Sequence, residues 1–381
     1  MIRVAIYQPV IPQYRLTFFN KLATCSELDV SLHASKTFPD APDSVDGPYD
    51  FKYYEYPASG LIGNRLFWQS GLRLPDELSQ GDVAVICANP RMISYIPLVL
   101  QTKKRKAGLV FWGHGHTAGA NHMTESIRHR LMSFGDVVLL YHQNEIELFR
   151  KTILKKSRIF ATNNTIDISG IETSKAQWTD NLLHKFKYRY NIENKKLLLF
   201  CGRLTIKTKL NVLLEAMSII CKSDHSYHLA VIGDGPERDS FKEQANRLNL
   251  NNHITWLGSI YDQNALAPWF ISSQFFVYPG SIGLSIFHAF AFELPVITHG
   301  NLRNQMPEFR VLEEGKNGMT FSEGDVSALS FTIKYGFKEK EHHKTMKKYA
   351  FNTVKEKYPI DKMVGNFVKA VKYASKMSNN Q

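Results

Sequence analysis

The sequence predicts an α/β protein of two doubly wound domains that face a central cleft. The chain has 381 residues, which exceeds one average domain and fits two. Short apolar runs alternate with amphipathic stretches along the whole chain. These runs are nearly continuous in Val, Ile and Leu, as expected of parallel strands that helices cover on both faces. In such folds the carboxyl ends of the strands form the ligand-binding side, which would line the cleft.

The strands are assigned in chain order. In the first half they are "IRVAIY", "LDVSLHA", "DVAVICA", "GLVFWG", "DVVLLYH" and "RIFATN". In the second half they are "KLLLFCG", "HLAVIGDG", "ITWLGS", "FFVYP" and "PVITHG". The polar stretch between the halves, from "DISGIETSKAQWTD" onward, predicts a linker.

The domain bounds follow from this pattern. We place an N-terminal domain at residues 1–175 and a C-terminal domain at residues 190–355. After residue 340 the pattern is purely helical and no strand follows. Residues 356–381 are therefore predicted to form a helix that packs back on the N-terminal domain.

The composition is that of a soluble globular protein, with 44% hydrophobic and 22% charged residues. No apolar run reaches the length of a signal peptide core or a membrane span, so we expect a cytoplasmic protein. The four cysteines are scattered without metal-ligand spacing and are expected to be buried free thiols.

Positive charge is concentrated in one part of the chain. The net charge is +12, and residues 101–160 contain eleven Lys and Arg against four acids. Such a block fits nucleic acid, an anionic membrane surface or an ordinary solvated face. The aromatic and basic residues are not interleaved as in RNA-binding proteins, so we rank a membrane surface first and expect no nucleic acid partner.

The first candidate ligand-binding turn lies in "FCGRLTIKTKLNVLLEAM". A buried strand ends at Gly202 and Arg203, and a helix follows. An arginine beside the backbone amides of a strand-to-helix turn suits a diphosphate. Lys207 or Lys209 would supply a second cation, although an ordinary surface turn has the same residues.

Two further segments follow in order. "AVIGDGPERD" places a glycine turn before a helix and is mainly a structural signal. "FVYPGSIGLSIFHAFAFELPVITHG" contains a buried strand, a permissive turn and a helix. The amides of Gly283 and Leu284 at the start of this helix would favour an anionic phosphate. His288, further along the helix, is either a core histidine or a ligand contact.

In this order, and followed by "MPEFRVLEEGKNGMTF", the three segments resemble the donor half of the retaining family 4 glycosyltransferases (glycosyl transferases group 1). These enzymes have the GT-B fold of two Rossmann-like domains. The resemblance covers residues 195–325. It extends more loosely to the first half, where "GHG" at 113–115 and "NNTID" at 163–167 match a His-Gly and an Asn-x-x-Asp.

The resemblance implies roles for the residues of the first turn. Arg203 matches the arginine that binds the donor diphosphate, and Gly202 the glycine that lets the phosphate approach. The family's lysine falls on Thr208 here, so Lys207 or Lys209 must take its role. We assign Arg203 and Lys209 as catalytic, and Gly202 and Lys207 as donor-binding.

It also implies roles for residues elsewhere. Gly283 and Leu284 match the Gly-Leu whose amides meet the phosphate, with Ser281 in the same turn. Glu308 in "MPEF" matches a recurring Pro-Glu of the donor site. His114 matches the histidine near the transferred sugar and is our third catalytic candidate.

The main departure from the family is a pair of glutamates eight positions apart, which are Gly280 and His288 in this chain. A neutral imidazole can accept one hydrogen bond and donate another, so His288 can hold ribose hydroxyls. Gly280 can meet the sugar only through its backbone. The donor base would contact the backbone of "LGSI", which includes Ser259.

No cofactor and no metal are expected. The sequence has no Asp-x-Asp pair, which fits a mechanism in which Arg and Lys replace a divalent ion. His114 and His116 have no third ligand at a suitable spacing.

The acceptor side is expected in "PVIPQYRLTFFNKLA", the loop and helix after the first strand. The family commonly has a glycine-rich loop here. Tyr14 and Arg15 are the acceptor-binding candidates, whereas Phe18, Phe19 and Leu22 read as the buried face of the helix.

By resemblance, the chain would move a sugar from a nucleoside diphosphate, UDP favoured over GDP, to a glycan or polyprenyl-linked acceptor with retention of configuration. Such enzymes build bacterial O-antigen, capsule or lipopolysaccharide at the cytoplasmic face of the inner membrane. The basic block would then dock peripherally on anionic lipids. Two alternatives stay open: a nucleotide-sugar epimerase of GT-B fold, and an inactive GT-B subunit that binds a glycan or partner.

Overall fold

The chain folds into two compact units, which are described separately. The first unit comprises Met1–Asp167 and Pro359–Gln381, and the second Ile168–Tyr358. The structure is a computed structural model that describes residues 1–39, 41–119, 122–150 and 158–380.

The first unit is built on a parallel sheet. Its strands are β1 (Ile2–Tyr7), β2 (Leu28–Ala34), β3 (Lys52–Glu55), β4 (Ala58–Leu61), β5 (Leu66–Gln69), β6 (Val83–Cys87), β7 (Gly108–Gly113), β8 (Val137–Leu140) and β9 (Arg158–Ala161). Seven of them form the sheet in the order β3-β2-β1-β6-β7-β8-β9, and β4 and β5 form a separate antiparallel hairpin. The direction of strand progression reverses between β1 and β6.

Helices cover both faces of this sheet. They are α1 (Gln13–Ala23), α2 (Tyr95–Lys104), α3 (His122–Met132) and α4 (Asn144–Arg150). Phe18 and Phe19 of α1 belong to the core on one face, and Leu98 of α2 and Met132 of α3 to the core on the other. The helices α2 and α3 therefore lie on the same side of the sheet.

The second unit repeats the architecture with six parallel strands. They are β10 (Lys196–Cys201), β11 (Tyr227–Ile232), β12 (Ile254–Gly258), β13 (Phe275–Tyr278), β14 (Val296–His299) and β15 (Gly318–Phe321). The sheet order is β12-β11-β10-β13-β14-β15, so strand progression reverses between β10 and β13.

The helices of the second unit are α5 (Ser169–Gln177), α6 (Asp180–Arg189), α7 (Leu210–Ser223), α8 (Arg238–Arg247), α9 (Gln263–Ser272), α10 (Ser285–Ala291), α11 (Val326–Lys338) and α12 (Lys340–Asn352). Short 3-10 turns lie at Ile206–Thr208, Asn251–His253, Leu302–Asn304 and Pro307–Val311, and a π turn at Thr353–Lys357. Side-chain caps begin α6, α9 and α11: Thr179 accepts a hydrogen bond from the Leu182 amide, Asp262 one from the Ala265 amide, and Asp325 one from the Ala328 amide.

The last helix, α13 (Ile360–Asn379), packs on the sheet of the first unit. Phe367 lies edge-on to Trp112 of β7, with ring centroids 5.2 Å apart. A Cβ at Gly108 of β7 would lie 2.8 Å from the carbonyl oxygen of Ala374, so the helix backbone approaches this strand closely. The first unit is therefore assembled from two separate parts of the chain.

The structure confirms the predicted α/β architecture with parallel sheets, and every strand that the sequence predicted is present. It adds β3, the hairpin of β4 and β5, and β15, which are short and have weak apolar patterns. The first unit ends at Asp167 rather than at residue 175, and the second begins at Ile168 rather than at residue 190.

The segment predicted to be a linker is not one. It forms α5 and α6, and both helices belong to the second unit. Phe186 and Tyr190 lie against Trp269, with ring centroids 4.8 and 4.7 Å away. The four cysteines are free thiols as expected, but only Cys221 is buried, whereas Cys25, Cys87 and Cys201 are partly exposed. In the part of the chain that the structure describes, no helix is both long enough and apolar enough to span a bilayer.

Candidate functional site

The candidate donor site lies at the carboxyl ends of β10 and β13. These strands are neighbours at the point where the strand order of the second sheet reverses. Loops that leave two such strands diverge to opposite faces of the sheet and open a crevice where doubly wound folds bind ligands. Gly202 and Arg203 follow β10, and Gly280 follows β13.

Two glycines of the turn after β11 hold the backbone around Arg203. The Leu204 amide donates to the carbonyl of Asp234 at 2.9 Å. A Cβ at Gly233 would lie 2.0 Å from the Gly202 oxygen, and one at Gly235 would lie 2.3 Å from the Leu204 oxygen. The glycine turn therefore lets the two loops pack together, because any side chain there would push the Arg203 loop away.

Arg203 itself is exposed at this edge of the sheet. Its guanidinium forms no hydrogen bond or ion pair with any residue that the structure describes. Thr208, at the position of the family lysine, is buried and donates its hydroxyl hydrogen to the Thr205 carbonyl at 2.7 Å. Its side chain is thus committed to the loop and is not a substitute for the lysine.

The two candidate lysines differ in their surroundings. Lys207 is exposed and, within the described ranges, has no hydrogen-bond or ion-pair partner. Lys209 has a left-handed backbone, with φ of 51°, and its ammonium forms an ion pair with Glu323. Burial raises the pKa of the Glu323 carboxyl, but hydrogen bonds from Lys209, Asn304 and Asn301 outweigh it and lower the pKa to about 2. This carboxylate therefore holds the lysine in place.

Gly280 lies directly under the loop that carries these lysines. A Cβ at Gly280 would be 2.2 Å from the carbonyl oxygen of Lys207 and 2.8 Å from the Thr208 Cα. The absence of the family glutamate at this position thus has a steric cause in this fold. The loop occupies the space that a side chain at 280 would need.

Gln305 orders the turn after β13. Its side chain is buried, accepts a hydrogen bond from the Ile282 amide at 2.7 Å, and donates to the Thr298 hydroxyl at 3.0 Å and the His299 carbonyl at 2.8 Å. Ser281 donates its hydroxyl hydrogen to the carbonyl of Asn304. The sequence analysis missed Gln305, since a glutamine in a polar loop carries no periodic signal.

The amides of Gly283 and Leu284 lie just before α10. Neither donates a hydrogen bond to a described residue. The helix has seven residues, and Glu293, with a positive φ of 58°, follows its end. Glu308 is buried in its 3-10 turn, and Ser259 is exposed beyond the end of β12.

His288 sits in an aromatic setting on α10. Its ring lies edge-on to Phe270 and Phe292, with centroids 4.7 and 5.4 Å apart. Burial lowers the pKa of the imidazole to about 4, so it is neutral at physiological pH. Its Nε2 lies 3.3 Å from the Oε1 of Gln263, whose own Nε2 is buried without a hydrogen-bond partner. The pair therefore offers both donor and acceptor atoms to hydroxyl groups.

In the first unit, His114 follows β7 at the carboxyl edge of the sheet. Its ring is edge-on to Tyr141, with centroids 4.4 Å apart, and its Nδ1 has no hydrogen-bond partner. Burial, together with the positive charges of Arg128 and Arg15, lowers the pKa of His114 to about 3. It too is a neutral imidazole.

The loop after His114 is fixed by carboxylates. One oxygen of Glu145 accepts hydrogen bonds from the amides of Gly115 and His116, both at 3.0 Å. The His116 ring contacts the carboxylate of Glu125 at 2.5 Å. His116 is thus engaged by a neighbouring helix. Across the described residues, no three His, Cys, Asp or Glu side chains gather as a metal site would require.

The two acceptor candidates lie in different environments. Tyr14 is exposed, whereas Arg15 is only 4% exposed. The Arg15 guanidinium lies over the rings of Trp112 and Tyr141, at 4.2 and 4.9 Å from their centroids. The structure thus places Arg15 and His114 against the same tyrosine.

Comparison with known proteins agrees with this architecture. Residues 184–353 match the family described as Glycosyl transferases group 1. Over its whole length the chain is similar to the crystal structure of HepE from Anabaena in complex with UDP, with 14% sequence identity, a TM-score of 0.71, and coverage of 97% of this chain and 99% of HepE. The likeness shows the GT-B fold.

Two curated relatives match parts of the chain. Protein CapJ of Staphylococcus aureus is 30% identical over 98 residues, which are 26% of this chain and 25% of CapJ. Alpha-monoglucosyldiacylglycerol synthase of Streptococcus pneumoniae is 27% identical over 140 residues, 35% of this chain and 32% of the synthase. The match thus spans a third or less of either relative. The chain therefore has the GT-B fold, and its second unit is similar to glycosyl transferases of group 1.

Proposed function

We propose that this chain of GT-B fold transfers a sugar from a nucleoside-diphosphate sugar to a glycan or lipid-linked glycan, with retention of configuration. The proposal rests mainly on the surroundings of Arg203. Its guanidinium is exposed, has no hydrogen-bond or ion-pair partner among the described residues, and lies where the strand order of the second sheet reverses. The glycine turn after β11 packs against the backbone of its loop. A planar guanidinium of this kind suits the oxygens of a diphosphate.

The proposed donor site needs little rearrangement around Arg203. Lys207 adds a second unpaired cation in the same loop, and the amides of Gly283 and Leu284 add donors for phosphate oxygens. His288 and Gln263 would hold the ribose hydroxyls. Because Gly280 has no side chain, the loop that contains Lys207 and Lys209 can pack against it. The proposed site thus has groups that would bind phosphate but lacks the two carboxylates of the family.

Catalysis in this scheme depends on positioning and on stabilisation of the leaving diphosphate. Arg203 and a neighbouring lysine would neutralise the charge that develops as the glycosidic bond breaks. We propose that this is done without a metal ion and without a cofactor. His114, which is neutral and whose Nδ1 has no hydrogen-bond partner among the described residues, is our candidate for a contact with the transferred sugar.

UDP is the nucleotide that we favour over GDP. The structural neighbour HepE was crystallised with UDP, and another form of it with UDP-glucose. The backbone around Ser259 would contact the base, and a backbone contact does not by itself reveal the base from the sequence.

We place the activity in the synthesis of bacterial surface polysaccharide, such as O-antigen, capsule or lipopolysaccharide, at the cytoplasmic face of the inner membrane. The partial match to a synthase named for a glucosyldiacylglycerol supports an acceptor that is carried on a lipid. A polyprenyl-linked glycan is the acceptor class that we favour.

Two helices of the first unit expose apolar side chains beside cations. Ile96 and Leu100 lie one turn apart on α2 and are exposed, with Lys104 following them. On α3, Ile127 and Arg130 are exposed in the same way. Exposed apolar side chains beside cations are typical of helices that lie in a lipid interface. We propose that this α2–α3 stripe docks reversibly on anionic lipids.

The donor site is tested by thermal-shift binding of UDP, GDP, ADP, CMP and TDP to the wild type, to Arg203→Ala and to Arg247→Ala. Arg247 is an exposed arginine on α8, so its variant has the same charge change. We expect one diphosphate to stabilise the wild type and Arg247→Ala but not Arg203→Ala. If no nucleotide shifts the melting temperature of the wild type, the result would favour the alternative of an inactive subunit without a donor site.

The epimerase alternative is separated by a second measurement. The chain is incubated with the matching nucleotide sugar, first alone and then with a lipid-linked glycan. Conversion of the donor without an acceptor would support an epimerase. Acceptor-dependent transfer, with the donor's anomeric configuration kept in the product by NMR, would support the retaining transferase.

A further inference from the structure

Arg15 is a buried charge without a counter-charge. It is 4% exposed, its Nη1 has no hydrogen-bond partner, and it forms no ion pair with a carboxylate in the described ranges. Among the described residues, its guanidinium lies over three aromatic rings, those of Trp112, Tyr141 and Tyr14, at 4.2, 4.9 and 5.6 Å from their centroids. A buried cation is costly unless it is paired and hydrogen-bonded. The folded chain therefore retains a charge that its own residues do not neutralise.

A second cation lies in the same region. Arg128 of α3 is half-buried and donates a hydrogen bond to the Thr117 hydroxyl at 2.6 Å. The positive charges of both arginines act on His114, whose imidazole is neutral and has an unpartnered Nδ1. Two guanidinium groups and one hydrogen-bonding imidazole thus share one part of the first unit.

The nearby carboxylates already have other partners. Glu145 accepts hydrogen bonds from the amides of Gly115, His116 and His142. Glu125 contacts the ring of His116. Both carboxylates also act electrostatically on Arg128, so Arg15 is the cation of this cluster that has no carboxylate partner among the described residues.

The place of this cluster in the fold is that of a ligand site. Arg15 lies on the helix after β1, and the order of the first sheet reverses between β1 and β6. His114 and Tyr141 follow the neighbouring strands β7 and β8 at the same edge. Trp112 and His114 are two residues apart, so both point to the face of the sheet that α1 covers. Ligands of doubly wound folds bind at such a point.

We propose that Arg15 and Arg128 bind a phosphate group of a substrate, with His114 as a third hydrogen-bonding group. The inference rests on the proposed transferase function, because it assigns the phosphate to one of its substrates. Phosphate suits the cluster, since it can take hydrogen bonds from two guanidinium groups at once. The group is either a phosphate of the acceptor's lipid carrier or the diphosphate of the donor.

The test uses inorganic phosphate as the probe and Arg203→Ala as the parent, so that the donor site does not contribute. Thermal stability is measured with rising phosphate against chloride at constant ionic strength. We expect phosphate to stabilise the parent, the addition of Arg15→Met to abolish that response, and the addition of Arg247→Ala to keep it. An equal response with and without Arg15→Met would overturn the proposal.

Folding of the variants is controlled in the same experiment. Without phosphate, Arg15→Met should be at least as stable as its parent, because it replaces an uncompensated buried charge by an apolar chain of similar length. If Arg15→Met is not folded, Arg128→Gln provides the second variant. It should weaken the phosphate response at least about fivefold, as expected for the loss of one charge-assisted hydrogen bond.

A further experiment determines which substrate supplies the phosphate group. It uses Arg15→Met in a chain that is otherwise wild type, so that Arg203 is intact. If Arg15→Met weakens UDP binding at least tenfold, the group is the donor's diphosphate. If UDP binding is unchanged and the KM for a phosphate-linked acceptor rises, the group belongs to the acceptor. If the proposed function is wrong, the outcome differs. The wild type would then bind no nucleotide, while phosphate would still stabilise the chain in a way that depends on Arg15.

Discussion

Lys207 and Lys209 lie two residues apart in the Arg203 loop, yet their side chains have opposite surroundings. Lys207 is exposed and unpaired in the described structure, whereas Lys209 is held by Glu323. A cation that is already paired with a carboxylate must lose that partner before it can bind phosphate. Lys207 is thus the better placed of the two to contact a diphosphate, and Lys209 to hold the loop.

Separate alanine variants distinguish these roles. Lys207→Ala should weaken UDP binding by about five- to tenfold, the value of one charge-assisted hydrogen bond, and leave the melting temperature unchanged. Lys209→Ala should lower the free energy of unfolding by up to about 1 kcal/mol through loss of the Glu323 contact. Calorimetry gives both quantities, and the reverse pattern would assign the phosphate contact to Lys209.

At this scale the sequence predicted residue types better than their surroundings. The Gly-Arg turn was visible because a strand pattern ends at Gly202 and Arg203. The spacing of Arg15 with Phe18, Phe19 and Leu22 fits the buried face of α1. The stacking of its guanidinium on Trp112 and Tyr141 could not be predicted, because those residues are about a hundred or more positions away in the sequence. Gln305 was missed because its three hydrogen bonds, to Ile282, Thr298 and His299, depend on how the turn after β13 and the end of β14 come together in the fold.

At the scale of elements, the turn after β13 and the loop after β10 are matched to each other. Gly280 has no side chain where the Lys207 carbonyl passes, and Gln305 ties the next residues to the end of β14. The position of the cationic loop thus depends on an element that contributes no side chain of its own to the ligand.

Gly280→Ala tests this match, and Gly283→Ala is its control. A Cβ at 280 would lie 2.2 Å from a backbone oxygen, whereas one at 283 would meet nothing within 4 Å. We expect Gly280→Ala to reduce the free energy of unfolding by about 1–3 kcal/mol, as overpacking does, and Gly283→Ala to have little effect. Denaturant unfolding measures both, and equal stabilities would contradict the described packing.

The sequence predicted the buried strands well and missed elements that are exposed or polar. β7 and β10 are buried on both faces, so they appear as continuous apolar runs. β3 is a four-residue edge strand of largely exposed residues, and no apolar run marks it. The helices α5 and α6 were read as linker because their segment is polar. The aromatic contacts that hold α6 involve residues about eighty positions further along the chain.

At the scale of the whole molecule, the α2–α3 stripe is the feature that bears on location. The basic block includes Lys103, Lys104, Lys155 and Lys156, but these four lysines are not equally suited to a charge-reversal test. Lys103 forms an ion pair with Asp136 at 2.7 Å, so its reversal would also damage the fold. Lys155 and Lys156 lie outside the residues that the structure describes.

Lys104→Glu with Arg130→Glu is the better test of docking. Each cation near an anionic surface contributes about 1 kcal/mol, so the double reversal should weaken binding to phosphatidylglycerol vesicles at least about tenfold. Lys344→Glu with Lys348→Glu, on the exposed side of α12, has the same charge change. Sedimentation with vesicles measures the difference, and equal loss in both variants would leave only net charge as the cause.

The last helix has a consequence for biosynthesis. Because α13 completes the core of the first unit, that core cannot close until residues 360–379 have left the ribosome. The second unit is continuous in sequence and can fold as it emerges. At about 5–20 residues per second, the first sheet waits roughly 10–40 seconds for its covering helix. During that interval the apolar face that will receive Phe367 is open, and a chaperone would have its main opportunity to bind.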